Sequence, residues 1–146
     1  MDNFQKDVKT GGRAEEFIIS QFEKQHKGLR QEFGNIKGYD LIADDGYTAE
    51  VKYDRLSAKT QKIGFEYECY GKKSGIAKTK AVEWIHIFKL YDQWVYCAVP
   101  TPSLKSFLKS NWEFLQKAQG GDNNASKMAL VSVYDFADAF SYFPMK

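Results

Sequence analysis

The segment GYDLIADDGYTAEVK, at positions 38–52, decides the fold of this chain. It predicts two strands, at 39–43 and 47–52, joined by the loop Asp44-Asp45-Gly46. A three-residue loop with glycine in the left-handed position is a common hairpin connection. In that register one face of the hairpin carries only apolar and aromatic side chains, namely Tyr39, Leu41, Ala43, Tyr47, Ala49 and Val51.

The opposite face of the hairpin carries charged side chains. Asp40 lies across from Glu50, and Lys52 follows on the same face. A two-residue loop would mix apolar and charged residues on both faces, so the separation of the two kinds favours the longer loop. Directly opposed carboxylates repel each other. A divalent cation would relieve that repulsion, because Mg²⁺ prefers oxygen ligands and often uses only one or two carboxylates.

Lys52 is two residues after Glu50 on the same strand, so its side chain points to the same face as the two acids. There it could orient an attacking water or offset charge that builds up on a phosphate. The alternative is that the three charged residues simply face solvent, as they do on many hairpins that have no function. The three residues by themselves leave both interpretations open, and the surrounding sequence has to decide between them.

The rest of the chain predicts helices and strands in alternation. We expect an α/β domain, bordering on α+β, with a mixed central sheet flanked by helices, and 146 residues suit a single domain, 1–146. The predicted elements are a helix at 10–27, a strand at 65–70, a short helix capped by Thr79, strands at 84–90 and 94–99 around a turn at 91–93, a helix at 102–116, a polar loop at 119–127 and a last strand at 128–133.

Composition and charge limit the class of protein. The chain is 43% hydrophobic, as in packed globular proteins, and its net charge of +2 makes no case for nucleic acid. Positions 52–80, however, hold eight basic residues against three acidic ones, a basic stretch that would attract a polyanion. Cys69 and Cys97 lie in apolar or aromatic runs and are expected to be buried thiols in a reducing compartment. No signal peptide or membrane span is visible, so we expect a cytoplasmic protein.

Gly38-Tyr39-Asp40, followed after the hairpin by Glu50-Val51-Lys52, resembles the motif of the PD-(D/E)XK nuclease superfamily, with Tyr39 in place of the proline. Gly71-Lys72-Lys73-Ser74-Gly75-Ile76 and the residues around it are similar to a loop of small phage-type members. The resemblance covers about residues 11–90. It implies a restriction-endonuclease-like fold and a DNA hydrolase that uses Mg²⁺ or Mn²⁺. Asp40 and Glu50 would be metal ligands, and Lys52 would be catalytic. A phage-encoded member would act in the host cytoplasm.

Many members of this superfamily also carry a glutamate on the helix before the hairpin, four residues after a glycine. Both Glu15 and Glu16 satisfy that spacing, after Gly11 and Gly12. Glu15 lies beside the apolar stripe of the predicted helix, whereas Glu16 points away from it. We favour Glu15 as a further catalytic residue and metal ligand; the alternative is that both acids complement the dipole of the first helical turn.

The basic stretch supplies candidates for contact with DNA phosphates, which would position the strand without reading its sequence. The aromatic residues are expected to be core, with base stacking left open for Tyr70. The candidates for phosphate contact are Lys59, Lys62, Lys72, Lys73, Lys78 and Lys80.

Several functional alternatives stay open. Within the nuclease class the chain could be a structure-selective endonuclease, a resolvase, which would have to be a two-fold homodimer, or an exonuclease. A module on the same fold could instead bind nucleic acid without cutting it. A third alternative is an interaction domain whose aromatic segment at 136–145 docks on a partner.

Overall fold

The predicted hairpin pairs in the expected register. The computed structural model describes residues 13–33 and 38–145. Leu41 lies opposite Ala49, and Ile42 lies opposite Thr48. Gly46 closes the loop with a φ of 89°, a conformation that glycine adopts without steric cost.

Two sheets form the framework. The larger has the order β1-β2-β3-β6-β7-β10, with β3 and β6 parallel and the other neighbours antiparallel. The smaller is antiparallel, with the order β5-β4-β9-β8. The expected class, α/β or α+β with a mixed sheet, is therefore confirmed. The strands are β1 (Arg30–Gln31), β2 (Leu41–Ile42), β3 (Thr48–Tyr53), β4 (Lys62–Cys69), β5 (Lys72–Lys73), β6 (Glu83–Leu90), β7 (Gln93–Pro100), β8 (Gln116–Gly120), β9 (Ser126–Ser132) and β10 (Phe143–Pro144).

Short helices complete the described part of the chain. None of the helices seen there combines the length and the apolar character that a membrane span requires. The α-helices are α1 (Arg13–Phe22), α2 (Ser57–Thr60), α3 (Thr101–Asn111) and α4 (Val133–Ala139). The 3₁₀ helices are η1 (Gly75–Ala77), η2 (Trp112–Phe114) and η3 (Asp122–Asn124).

The larger sheet is covered on both faces. One face packs on α1 through a cluster that includes Ile18, Leu41, Val51 and Ile85. The other face packs on the smaller sheet, α3 and α4 through Phe65, Trp84, Phe88, Leu104 and Phe136. Because side chains alternate along a strand, Glu50 and Lys52 share the second face, at the end of the interface between the two sheets.

The first predicted helix is shorter than expected. Positions 10–12 lie outside the described residues, and α1 ends at Phe22 rather than at position 27. The three residues after Phe22 are exposed and bury no apolar surface that would hold another helical turn. Gly28, with φ of 75°, then redirects the chain toward β1.

The prediction for the second half needs three corrections. The helix expected at 102–116 ends at Asn111, and residues from Gln116 to Gly120 pair with β9 as a strand instead of continuing into a loop. Thr79 caps no helix; its hydroxyl contacts the Gly38 carbonyl at 3.2 Å, and the turn η1 precedes it. Within the aromatic segment at 136–145, Phe136 is fully buried, and Phe143 pairs with β7 while remaining half-exposed.

The expectation that the cysteines and tryptophans are buried is met in part. Cys97, Trp84 and Trp94 are buried, whereas Cys69 and Trp112 are only half-buried. Burial raises the pKa of the Cys97 thiol to about 12, so this cysteine is an unreactive core residue.

Candidate active site

Asp40 reaches the site because the chain bulges just before β2. The Asp40 amide donates to the Ala49 carbonyl at 2.9 Å, although Leu41 is the residue paired with Ala49. Two successive residues therefore face one partner residue, as in a β-bulge. The Asp40 carboxylate accepts a hydrogen bond from the Val51 amide at 2.8 Å, which fixes its direction toward β3. The predicted opposition of Asp40 and Glu50 is thus achieved through a bulge rather than through regular pairing.

Glu50 is the electrostatic centre of the site. Its side chain is 14% exposed, and burial raises the pKa of this carboxyl from 4.5 to about 7, with the adjacent Asp40 adding to the rise and Lys52 opposing it. With a pKa of about 7, the Glu50 carboxyl binds a proton near neutral pH in the metal-free protein.

Lys52 supplies the positive charge beside this pair. Its Nζ lies 3.4 Å from Glu50 Oε1 and 5.9 Å from the centre of the Trp84 ring. Its side chain is 46% exposed, so the ammonium lies at the solvent side of the acids. The structure therefore brings together the three residues that the hairpin pattern singled out.

A cleft of about 410 Å³ opens between the two sheets next to Lys52. The larger sheet contributes Lys52 and His86, and the smaller sheet contributes Gly64 and Glu66. Glu66, on β4, adds a half-buried acid to the lining of this cleft. Of the three residues of the site, Lys52 is the one that lines the cleft, so an extended substrate held there would lie against Lys52.

A polar chain below the cleft was not predicted. The Trp84 indole donates to His86 Nδ1 at 3.1 Å, and His86 Nε2 lies 3.3 Å from Asp54 Oδ2. Since an indole can only donate, the His86 proton is on Nε2 and points at Asp54. Asp54 also accepts from the Gly64 amide of β4 at 2.9 Å. Asp54 therefore links the two sheets at the base of the cleft.

One signal in the sequence could have revealed Asp54. It follows Lys52 by two residues, and continued alternation past β3 places Glu50, Lys52 and Asp54 on one face. His86 could not be assigned in the same way, because its Cα partner Lys52 is known only once β3 and β6 are paired.

The two helical glutamates differ in environment as expected. Glu15 is half-buried, whereas Glu16 has a side chain that is 60% exposed and lies 3.9 Å from Arg13. Over residues 13–33 and 38–145, however, no three acids, histidines or cysteines are grouped closely enough to hold a metal ion. Glu15 thus does not join Asp40 and Glu50 in a three-ligand cluster.

The acid pair fits the requirements of Mg²⁺ or Mn²⁺. Both side chains offer hard oxygen donors, and Mg²⁺ characteristically keeps several waters while using one or two carboxylates. Burial raises the pKa of Glu50 and the nearby Asp40 adds to the rise, so a divalent cation would favour the deprotonated form that can act as a ligand. Asp40 and Glu50 are therefore suitable ligands, with water or phosphate oxygens to complete the coordination.

The six lysines predicted to contact DNA are all exposed but are not all placed alike. The Lys80 amide donates to the Gly38 carbonyl at 3.0 Å, so Lys80 stands beside the segment that carries Asp40. Lys72 and Lys73 form β5, at the edge of the smaller sheet. Lys62 is engaged differently, since its ammonium donates to Gln116 at 2.6 Å.

Comparison with known proteins adds no assignment. No family model matches the chain, and no curated protein shows significant sequence similarity to it. The functional argument therefore depends on the residues of the site.

Proposed function

We propose that the protein is a metal-dependent deoxyribonuclease that hydrolyses DNA phosphodiester bonds. The observation that carries the proposal is the arrangement of two adjacent carboxyls, Asp40 and Glu50, with the Lys52 ammonium 3.4 Å from Glu50 and lining a cleft. The resemblance of this segment to the PD-(D/E)XK motif supports the same activity. Phosphodiester hydrolysis needs a cation site, a positioned water and positive charge near the phosphate, and these residues can provide all three.

Asp40 and Glu50 would hold the cation through their carboxylate oxygens. A bound Mg²⁺ or Mn²⁺ supplies Lewis-acid polarisation of the phosphate and lowers the pKa of its own water. Glu50 has to lose its proton before it can serve as a ligand, because metal affinity depends on deprotonated donors. The hydrogen bond from the Val51 amide keeps Asp40 aimed at the same point throughout.

Lys52 would act on the substrate. Its partly exposed ammonium is placed to contact a non-bridging phosphate oxygen and to stabilise the charge that develops there. Exposed lysines such as Lys73, Lys78 and Lys80 would hold the DNA backbone against an otherwise acidic centre.

The test is incubation of the purified protein with circular single-stranded, linear duplex and branched DNA, each with Mg²⁺, with Mn²⁺ and with EDTA. We expect cleavage of at least one substrate with metal and none with EDTA. Circular DNA that is cut would show endonuclease action, and preference for branched DNA would favour a resolvase. Absence of cleavage on every substrate would contradict the proposal.

The alternative is a module on the same fold that binds nucleic acid without cutting it. One observation favours it: Lys52 pairs directly with Glu50, so the charged cluster is partly satisfied without a metal. This alternative predicts salt-dependent DNA binding that neither requires a divalent cation nor leads to turnover.

A further inference from the structure

A groove on the outer side of η1 combines positive charge with aromatic rings. Its cavity measures about 800 Å³, within the ~300–1,000 Å³ range of pockets that take small ligands. It lies between β4, β5 and η1 on one side and α3 and η2 on the other. The residues that matter to its chemistry are Tyr67, Lys73, Lys105, Lys109, Trp112 and Phe114.

The charge of the groove suits a polyanion. Lys73, Lys105 and Lys109 are exposed, and within the described ranges none of their ammonium groups has an ion-pair partner. Glu113 is the acidic residue on the groove wall. Three cations against one anion leave a positive lining that would attract phosphate groups.

One aromatic residue of the groove offers an exposed face to a flat ligand. Phe114, in the turn η2, is 85% exposed. Trp112 beside it is half-buried, because its ring packs edge-to-face with Tyr67 at 4.9 Å between ring centres and Lys117 Nζ lies 4.5 Å from its ring centre. An exposed phenylalanine beside a tryptophan and three lysines matches the combination of stacking faces and cationic groups that binds unpaired nucleotides.

The groove adjoins the candidate active site through η1. Gly75 lines the cleft together with Lys52, while the next two residues, Ile76 and Ala77, line the groove. Gly75 has a φ of 51°, and a side chain there would collide with the Glu66 carbonyl, so this turn is held tightly against β4. A strand leaving the cleft over η1 would enter the groove directly.

We propose that this groove binds single-stranded DNA that extends from the cleft, with phosphates on Lys105 and Lys109 and a base stacked on Phe114. The inference rests on the proposed nuclease function, because the bound strand is the one that would be cut at Asp40, Glu50 and Lys52. Bases in a duplex are already stacked on one another, so the groove selects DNA with an unpaired segment. An acidic peptide would match the charge, but it makes no specific demand for an exposed aromatic face.

The test measures binding of a labelled oligothymidylate in EDTA by fluorescence anisotropy. Phe114→Leu keeps an apolar side chain but loses the ring, and it should raise Kd about fivefold or more. Phe114→Tyr should bind like the wild type. Phe143→Leu is the matched control, since Phe143 is half-exposed on β10, and it should leave Kd unchanged. Phe114 is so exposed that these substitutions do not threaten folding.

The lysines are tested by salt dependence. Replacing Lys105 and Lys109 together by alanine should make the slope of log K against log salt shallower by about 1.4. Each lost contact with a single-strand phosphate accounts for ~0.7 of that change. Phe114→Leu should leave that slope unchanged. Binding of oligothymidylate that is unaltered in both Phe114→Leu and the double lysine variant would overturn the proposal. It would also be overturned if these variants lost binding to an acidic peptide but kept binding to oligothymidylate.

These results separate the groove from the nuclease proposal. Lys24→Met should bind oligothymidylate like the wild type, because Lys24 lines neither the groove nor the cleft. If the wild type binds through Phe114 but never cleaves, the nuclease proposal fails and the groove stands. If it cleaves but Phe114→Leu binds normally, the groove alone fails.

Discussion

Lys52 Nζ lies 3.4 Å from Glu50 Oε1, and the two side chains differ greatly in exposure, at 46% for Lys52 and 14% for Glu50. The lysine is therefore free to move toward a substrate, while the acid stays in place. An ion pair with one exposed partner contributes at most about 1 kcal/mol to stability. The pair is thus better explained by chemistry at the cleft than by a contribution to folding.

Replacing Lys52 should remove activity and spare the fold. Lys52→Met keeps much of the side-chain length without its charge, and we expect the rate of metal-dependent cleavage to fall by about 100-fold or more. The midpoint of urea unfolding should change little, since the side chain is half-exposed. Lys24→Met, at an exposed lysine just after α1, is the control and should cut normally. Comparable activity in the two variants would show that Lys52 takes no part in catalysis.

Glu50 should make the stability of the metal-free protein depend on pH. Its pKa is about 7 in the folded protein against an ordinary 4.5, so the folded state binds the proton more tightly than the unfolded state does. The contribution of Glu50 to stability is therefore fully present below about pH 4.5 and is lost as pH rises through about 7. Glu50→Gln cannot ionise, so at pH 8 in EDTA it should be more stable than the wild type by about 1–3 kcal/mol.

The measurement is urea unfolding of both proteins across this pH range. The advantage of Glu50→Gln should shrink as pH falls toward 4.5, where the wild-type carboxyl is protonated in both states. Added Mg²⁺ should stabilise the wild type at pH 8 and not the variant. Only the wild type has the Glu50 carboxylate that can bind the cation. An equal pH profile for the two proteins would contradict the environment described for Glu50.

Asp54 should stabilise the contact between the sheets. Asp54→Ala leaves the His86 Nε2–H and the Gly64 amide without their acceptor. His86 is buried, and an unsatisfied buried donor costs about 1–3 kcal/mol. Asp54→Asn retains one oxygen that can accept, so its effect should be smaller. Asp138→Ala, at an exposed position of α4, should change the free energy of unfolding by less than about 0.5 kcal/mol. Equal stability of Asp54→Ala and Asp138→Ala would mean that the polar chain does not hold the sheets together.

The two helical glutamates form a natural matched pair. Glu15 is half-buried and Glu16 is exposed, and neither joins Asp40 and Glu50 in a three-ligand cluster within the described residues. We therefore expect both Glu15→Gln and Glu16→Gln to leave the Mg²⁺ concentration for half-maximal cleavage unchanged. A higher concentration for Glu15→Gln alone would add Glu15 to Asp40 and Glu50 as a protein ligand.

The hairpin could be predicted from the sequence because its determinants are local. The loop ending at Gly46 and the separation of apolar from charged residues fix the register of Leu41 against Ala49, as observed. The bulge at Asp40 could not be predicted in this way. The bulge inserts one residue and leaves the alternation farther along the strand unchanged. It becomes visible only through the hydrogen bond from the Asp40 amide to the Ala49 carbonyl.

The smaller sheet could not be predicted from local sequence patterns. β4 and β9 pair Ile63 with Val131, residues far apart in sequence. β8 has the sequence QKAQG, which lacks apolar alternation and forms a strand by pairing with β9. The polar chain through Asp54 and His86 depends on both sheets, so it too required the tertiary structure.

The central claim is metal-dependent cleavage at the acid pair, and Asp40→Asn tests it most directly. The asparagine oxygen can still accept the Val51 amide, so the bulge should persist while the negative charge is lost. The measurement is the single-turnover rate of DNA cleavage in Mg²⁺ for the wild type and Asp40→Asn, with EDTA as the blank. We predict metal-dependent cleavage by the wild type. The rate for the folded variant should be lower by at least about 100-fold. Equal rates for the two proteins, or cleavage by the wild type that persists in EDTA, would contradict the account.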